Sequence, residues 1–190
     1  LKKVCIFVQM LNGNFILKGP SNSNGSAFQA YNKLVIGAHR SRSQDFFKGR
    51  MDDLKIFNCA FDQSQVDSLF QDTTGITISP CTQGYWPFEG NIRDTSGYGN
   101  HGTFHGAPQL TLDRNGNPNG AYEFDGVDDY IHTNATYEFE QRTGLVWFYP
   151  YEVNANRVVF IQDANWLNYG AFNVSIHADG SLRSRAGNTG

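Results

Sequence analysis

Gly49-Arg50-Met51-Asp52-Asp53-Leu54-Lys55-Ile56-Phe57-Asn58 is the stretch on which the reading of the fold turns. Leu54 and Ile56 alternate with Lys55 and Phe57, the period-two pattern of a strand with one buried face. Asp52 shares strand parity with Leu54 and Ile56, so its carboxylate is predicted on that same face. There it needs a cation or several N–H donors. Just downstream, Asp62 is a natural helix N-cap and Gln65 completes a capping box. Phe61 and Val66 are placed for a hydrophobic staple, and Val66, Leu69 and Phe70 form one apolar stripe. These residues predict one short capped helix, too short to stand alone and therefore packed on a sheet.

Outward from this stretch, the chain reads as strands and turns. Val4 to Met10 is rich in β-formers, Asn12-Gly13 supplies a tight hairpin turn, and Phe15-Ile16-Leu17 returns. Leu34-Val35-Ile36-Gly37 is a further strand. Thr73 to Thr82 is a connector containing Gly, Thr, Ser and Pro. Beyond it, Tyr122 and Phe124 alternate with Glu123 and Asp125, and Leu145 to Tyr149 and Arg157 to Ile161 are strand-like. Phe172, Val174 and Ile176 alternate with Asn173, Ser175 and His177, and Asp179-Gly180 turns the chain into Ser181-Leu182-Arg183. Many short strands with spaced turn signals predict an all-β sandwich or jelly roll.

Composition agrees. Aromatics at 14% with 20 Gly favour a turn-rich β protein over a helical one. The net charge of −3, with no run of like charges, gives no reason to expect nucleic acid or an anionic membrane as partner. The longest apolar stretch, near Val4 to Leu11, is far short of a membrane span. A chain of 190 residues beginning at Leu1 and stopping at Gly190 is expected to be a piece of a longer protein. Cys5, Cys59 and Cys81 lack zinc-site spacing. In an exported protein Cys59 and Cys81, which flank the short helix and the connector, are the expected disulfide pair; the alternative is three buried, inert thiols.

Two groups of residues together resemble one family. Tyr85-Trp86-Pro87-Phe88-Glu89-Gly90, Asp94 to Gly102, and Ala121 to Ile131 resemble the opening of a laminin-G-like, concanavalin A-like jelly-roll domain of the bacterial type. Trp147-Phe148-Tyr149-Pro150 is similar to its next core strand. Leu11-Asn12-Gly13, Leu34 to Gly37, and Phe47 to Asn58 with the capped helix resemble the end of such a domain. The order is reversed: the end precedes the beginning. The resemblance divides the chain into 1–73, the C-terminal half of one jelly roll, a linker at 74–82, and 83–190, the N-terminal half of another. Either the halves are two broken domains or they pack as one circularly permuted domain; bare strand edges and apolar faces make the first costly. Cys59 departs from the family pattern, where a basic or polar residue is expected.

The resemblance also implies a structural calcium joining first and last strands, with Asp52, Asp94 and Asn100 as ligands. Calcium takes six to eight oxygens from such mixed sources. The alternative is that Asp94 and Asp52 cap turns through loop N–H groups. Asp125, Asp128 and Asp129 form a second acidic group around Gly126, either a cation site or a turn with solvated carboxylates. Trp147, Tyr149, Tyr151, Trp166 and Tyr169 are candidates to line a concave face and stack on sugar rings, unless Trp147 and Tyr149 are core. Trp166 and Tyr169 sit in a polar stretch with Asn165 and Asn168, which would orient sugar hydroxyls.

Catalytic signatures are missing from the sequence. Glu138-Phe139-Glu140 lacks the third acid and strand context of a sandwich glucanase, although a retaining glycosidase needs two close carboxylates. No nucleophile elbow occurs. Gly102 and Gly106 keep His101 and His105 from forming a helical zinc site. The chain is therefore expected to be a non-catalytic, lectin-like module of a secreted or cell-surface protein, with a carbohydrate or surface glycoprotein, and neighbouring repeats, as partners. The rival reading is a structural or adhesive repeat without a small ligand; a glycoside hydrolase is a remote third.

Overall fold

The structure, a computed structural model, describes residues 4–11, 14–15, 33–61, 80–137, 142–162 and 172–186, with the backbone alone at 4–11, 14–15, 142, 185 and 186. The described residues contain thirteen strands and no helix. The predicted capped helix from Asp62, Glu138 to Glu140, and the Asn165, Trp166, Asn168 and Tyr169 group lie outside them.

In chain order the strands are β1 (Val4–Leu11), β2 (Asn14–Phe15), β3 (Val35–Ile36), β4 (Lys48–Phe57) and β5 (Thr82–Trp86). They continue with β6 (Gly102–His105), β7 (Gln109–Thr111), β8 (Ala121–Asp125) and β9 (Tyr130–Thr133). The last four are β10 (Arg142–Pro150), β11 (Arg157–Gln162), β12 (Phe172–Ile176) and β13 (Leu182–Ala186). They form two antiparallel sheets. The first runs β2-β1-β10-β4-β8-β7, and β5 also pairs with β4; the second runs β13-β12-β11-β3-β9-β6. β4 is long enough to hold two partners on one edge: Lys48 to Met51 pair with β8 and Leu54 to Phe57 with β5. Its other edge pairs with β10. Residues before and after the connector thus share both sheets.

The predicted alternations place the core. Phe172, Val174 and Ile176 are buried while Asn173 and Ser175 are half-buried. Tyr122 and Phe124 point the same way from β8. Together with Met51, Leu54, Ile56, Trp86, Val146, Phe148, Ile131 and Phe160 they fill the space between the sheets. Each such fully buried side chain contributes about 1.5–3 kcal/mol. The sheets meet closely at Gly144 of β10, where an added Cβ would lie 2.5 Å from the Phe172 ring of the opposite sheet. Only glycine fits there.

Two smaller apolar clusters sit on the outer faces. Val35, Ala38, Val158 and Ile161 pack with Phe46 and Tyr130 on the second sheet. Phe57, Phe61 and Leu145 pack with Trp147, Cys59 and Cys81 on the first. Cys59 and Cys81 form a disulfide across a separation of 22 residues, the pair expected for an exported chain. Closing a loop of that size contributes about 3 kcal/mol in the chain-entropy account.

The parity assigned to Asp52 is corrected. Met51, Leu54 and Ile56 all face the core, three and then two residues apart. Strict alternation cannot do this. A register shift opposite Leu145 and Trp147 inserts an extra residue, and Asp53 takes a left-handed φ of 51°. Such a bulge re-aims side chains, and Asp52 turns to the outer face of the first sheet.

Candidate functional site: an aromatic groove on the outer face of the first sheet

On β10, Gly144, Val146 and Phe148 face inward, so Leu145, Trp147 and Tyr149 face outward. Tyr151, just past the strand, stands 5.7 Å from Tyr149, ring centroid to centroid, and is 42% exposed. The strand and the residue just past it thus present three aromatic side chains, each two residues from the next. Trp147 and Tyr149 are half-buried on this face and do not belong to the inter-sheet core.

The connector between β7 and β8 roofs part of the row. Asp113 shapes it: its Oδ1 accepts the N–H groups of Asn115 and Asn117, each at 2.7 Å, and its Oδ2 accepts Asn117 Nδ2 at 2.8 Å. Burial pushes the Asp113 carboxyl up, but these bonds outweigh it and hold it below its ordinary value. Gly116 supplies the positive φ, 92°, that the turn requires. The turn aims Arg114 down at the bulge. Arg114 Nη1 meets Asp52 Oδ2 at 2.7 Å and Asp53 Oδ2 at 2.5 Å. Its guanidinium carbon lies 5.0 Å from the Trp147 ring centre, a cation–π contact.

The charge group continues beneath. Tyr85 Oη donates to Asp53 Oδ1 at 2.8 Å, and Lys55 Nζ sits 3.7 Å from the same oxygen and 4.3 Å from the Tyr85 ring centre. Asp52 is only 5% exposed. Burial, and then the neighbouring Asp53 charge, push the Asp52 carboxyl up to about 7 against the pull of Arg114. Burial, again followed by Asp53, pushes the Tyr85 hydroxyl up as well. At the other end of the row Arg50 Nε donates to Tyr151 Oη at 2.8 Å and to Glu123 Oε2 at 3.3 Å; Tyr151 Oη donates to the same Glu123 oxygen at 2.6 Å. Between these two polar groups lies a groove of about 190 Å³, lined by Arg50, Asp52, Leu112, Arg114, Trp147 and Tyr149 among others.

The residues named for calcium are placed differently. Asp94 is buried in the loop after β5. Its Oδ1 accepts the N–H groups of Tyr85 (3.0 Å) and Ser96 (2.9 Å), and its Oδ2 accepts that of Asn100 (2.9 Å). The Asn100 carbonyl accepts Trp86 Nε1 at 3.0 Å. Asp94 thus braces its own loop, and Asp52 holds a guanidinium. The carboxylates of Asp52 and Asp94 are each engaged within the protein.

Asp125, Asp128 and Asp129 do converge, each with an oxygen within 4.8 Å of the others. Asp129, however, is 3% exposed and accepts the N–H groups of Ala107 (2.7 Å) and Asp125 (2.9 Å), so it is not a solvated turn residue. Burial raises its pKa. His101 Nδ1 accepts the Asp94 N–H, and His105 stacks on Tyr130 with centroids 4.3 Å apart.

Of the residues read from the sequence for a ligand surface, Trp147, Tyr149 and Tyr151 come together. Arg50, Arg114, Leu112 and Asp53 were not singled out. The Asp113 to Asn117 stretch carries a legible turn signal, but where its arginine lands depends on the fold. No protein-family model, curated protein or solved structure matches the chain.

Proposed function

We propose that this chain is a non-catalytic, carbohydrate-binding module of a secreted or cell-surface protein. The observation that carries the reading is the row Trp147, Tyr149 and Tyr151 beside a groove with fixed polar groups. Flat rings stack on the C–H faces of sugars, and placed polar groups orient the ligand. The antiparallel two-sheet sandwich is taken as a jelly roll of the concanavalin A-like kind. Its circular permutation is supported by the sharing of both sheets between the segments before and after the connector. The Cys59–Cys81 disulfide supports an exported location, because such bonds persist in oxidising compartments. Glycoproteins carrying the same sugars, and neighbouring repeats of a longer chain, complete the proposed partners.

The test is a glycan panel probed with the whole chain, run beside assays for release of reducing sugar. Retention of the chain on a defined set of glycans, without hydrolysis, is the expected result. Retention on none of them would favour the rival structural repeat. Release of reducing sugar would make it a glycosidase.

A further inference from the structure

The chemistry of the groove narrows the class of ligand, an inference that rests on the carbohydrate reading above. Its two cationic side chains are both committed to carboxylates. Arg50 bonds Glu123, and Arg114 bonds Asp52 and Asp53. A sulfated or uronate-bearing ligand would therefore find no uncompensated positive charge, and it would meet the carboxylates of Asp52 and Glu123 at close range. An uncharged hydroxyl meets the opposite situation. Each sugar hydroxyl is one donor and two acceptors. The Asp52–Arg114 pair sets a carboxylate acceptor beside guanidinium donors, so two adjacent hydroxyls can give one hydrogen bond and take another without disturbing net charge. Such bonds to charged partners are worth more than neutral ones.

The rest of the groove is matched to the same ligand. Leu112, 49% exposed, and the Trp147 and Tyr149 rings offer an apolar wall for the C–H side of a ring. At about 190 Å³ the groove falls below the ~300 Å³ at which drug-sized pockets begin, which suits one sugar ring at a time. The geometry points to a neutral glycan, engaged through a pair of adjacent hydroxyls at the Asp52–Arg114 pair and stacked on Tyr149.

The experiment titrates the full chain, by calorimetry and by NMR, with neutral gluco-, manno-, galacto- and xylo-oligosaccharides, and with oligogalacturonate and a sulfated oligosaccharide. Asp52→Asn and Tyr149→Ala are titrated in parallel, each after its melting transition is confirmed to be cooperative. Expected is binding of at least one neutral series that hardly changes with salt, weakened about tenfold or more in each variant. Preference for the anionic ligands with steep salt dependence overturns this inference and leaves the carbohydrate reading standing. Neutral binding undiminished in both variants also overturns it, by placing the site elsewhere. Binding of no saccharide in any series overturns both readings together.

Discussion

Two groups of aspartates stand on this molecule in opposite circumstances. Asp52 and Asp53 sit on a strand bulge, buried, with the charge of one arginine between them. Asp125, Asp128 and Asp129 sit in a turn, where Asp125 and Asp128 are exposed and Asp129 is tied to backbone N–H groups. The residue type is the same. What differs is who satisfies the charge: side-chain cations in one place, backbone N–H groups and solvent exposure in the other. The first arrangement joins elements far apart in sequence and is sensitive to loss of its partner. The second rests on backbone bonds at Asp129 and, at its exposed members, is replaceable.

That contrast can be broken at several points. The largest effect is expected from Arg114→Ala, which leaves Asp52 buried without its cation and Asp53 with Lys55 and the Tyr85 hydroxyl alone. Denaturant unfolding should show a loss of about 3 kcal/mol or more. A loss within experimental scatter would mean that water reaches the pair and that the two groups are alike. Asp129→Ala comes next: a buried carboxylate and its bonds from the Ala107 and Asp125 N–H groups are lost, and about 1–3 kcal/mol should go in the same assay. If Asp129→Ala were neutral, backbone bracing would not be what holds that turn.

A subtler difference lies in pH dependence. The Asp52 carboxyl is raised to about 7 by burial and by Asp53. The folded state therefore binds this proton more tightly than the unfolded chain. Its contribution is fully present below the ordinary carboxylate range and is lost as pH rises through about 7. Asp52→Asn should remove that component, so the melting temperature of the wild type should fall relative to the variant between about pH 4 and pH 8. Parallel curves would show that Arg114 fully offsets the burial.

The smallest effect is expected at the exposed members of the turn. Asp128→Asn should change stability by no more than about 0.5 kcal/mol. Calcium belongs to the same test: an ion bound only to the folded state raises the melting temperature by mass action. A calcium-dependent rise, removed by a chelator and absent in Asp128→Asn, would turn the exposed cluster into a cation site and sharpen the contrast in a new direction.

Much of the β architecture was legible because period-two alternation survives wherever a strand is regular. Tyr122 and Phe124, and Phe172, Val174 and Ile176, bury the faces their spacing predicts. The turn at Asp179-Gly180 joins β12 to β13, with His177 N–H bonded to the Ser181 carbonyl at 2.9 Å. Alternation failed at Asp52 because a bulge consumes one residue and reverses every side chain beyond it. The repeat of aromatics at Trp147 and Tyr149 was legible as a pattern. Whether those rings are core or surface was not, since a strand buried on both faces and one bearing a groove carry similar residues. Trp147 in fact contacts the disulfide cluster on one side and Arg114 on another.

The sequence by itself determined the regular alternating strands and the turn at Asp179-Gly180, because these depend on neighbours a few residues away. It could not determine that Arg114 crosses 62 positions to Asp52, or that β4 lies between β10 and β8. Those are pairings between distant segments, fixed by how two twisted sheets share one core. The groove is made of such pairings. Its aromatic wall comes from β10, its acids from the bulge in β4 and its arginine from the β7–β8 turn, so only the tertiary structure brings it into being.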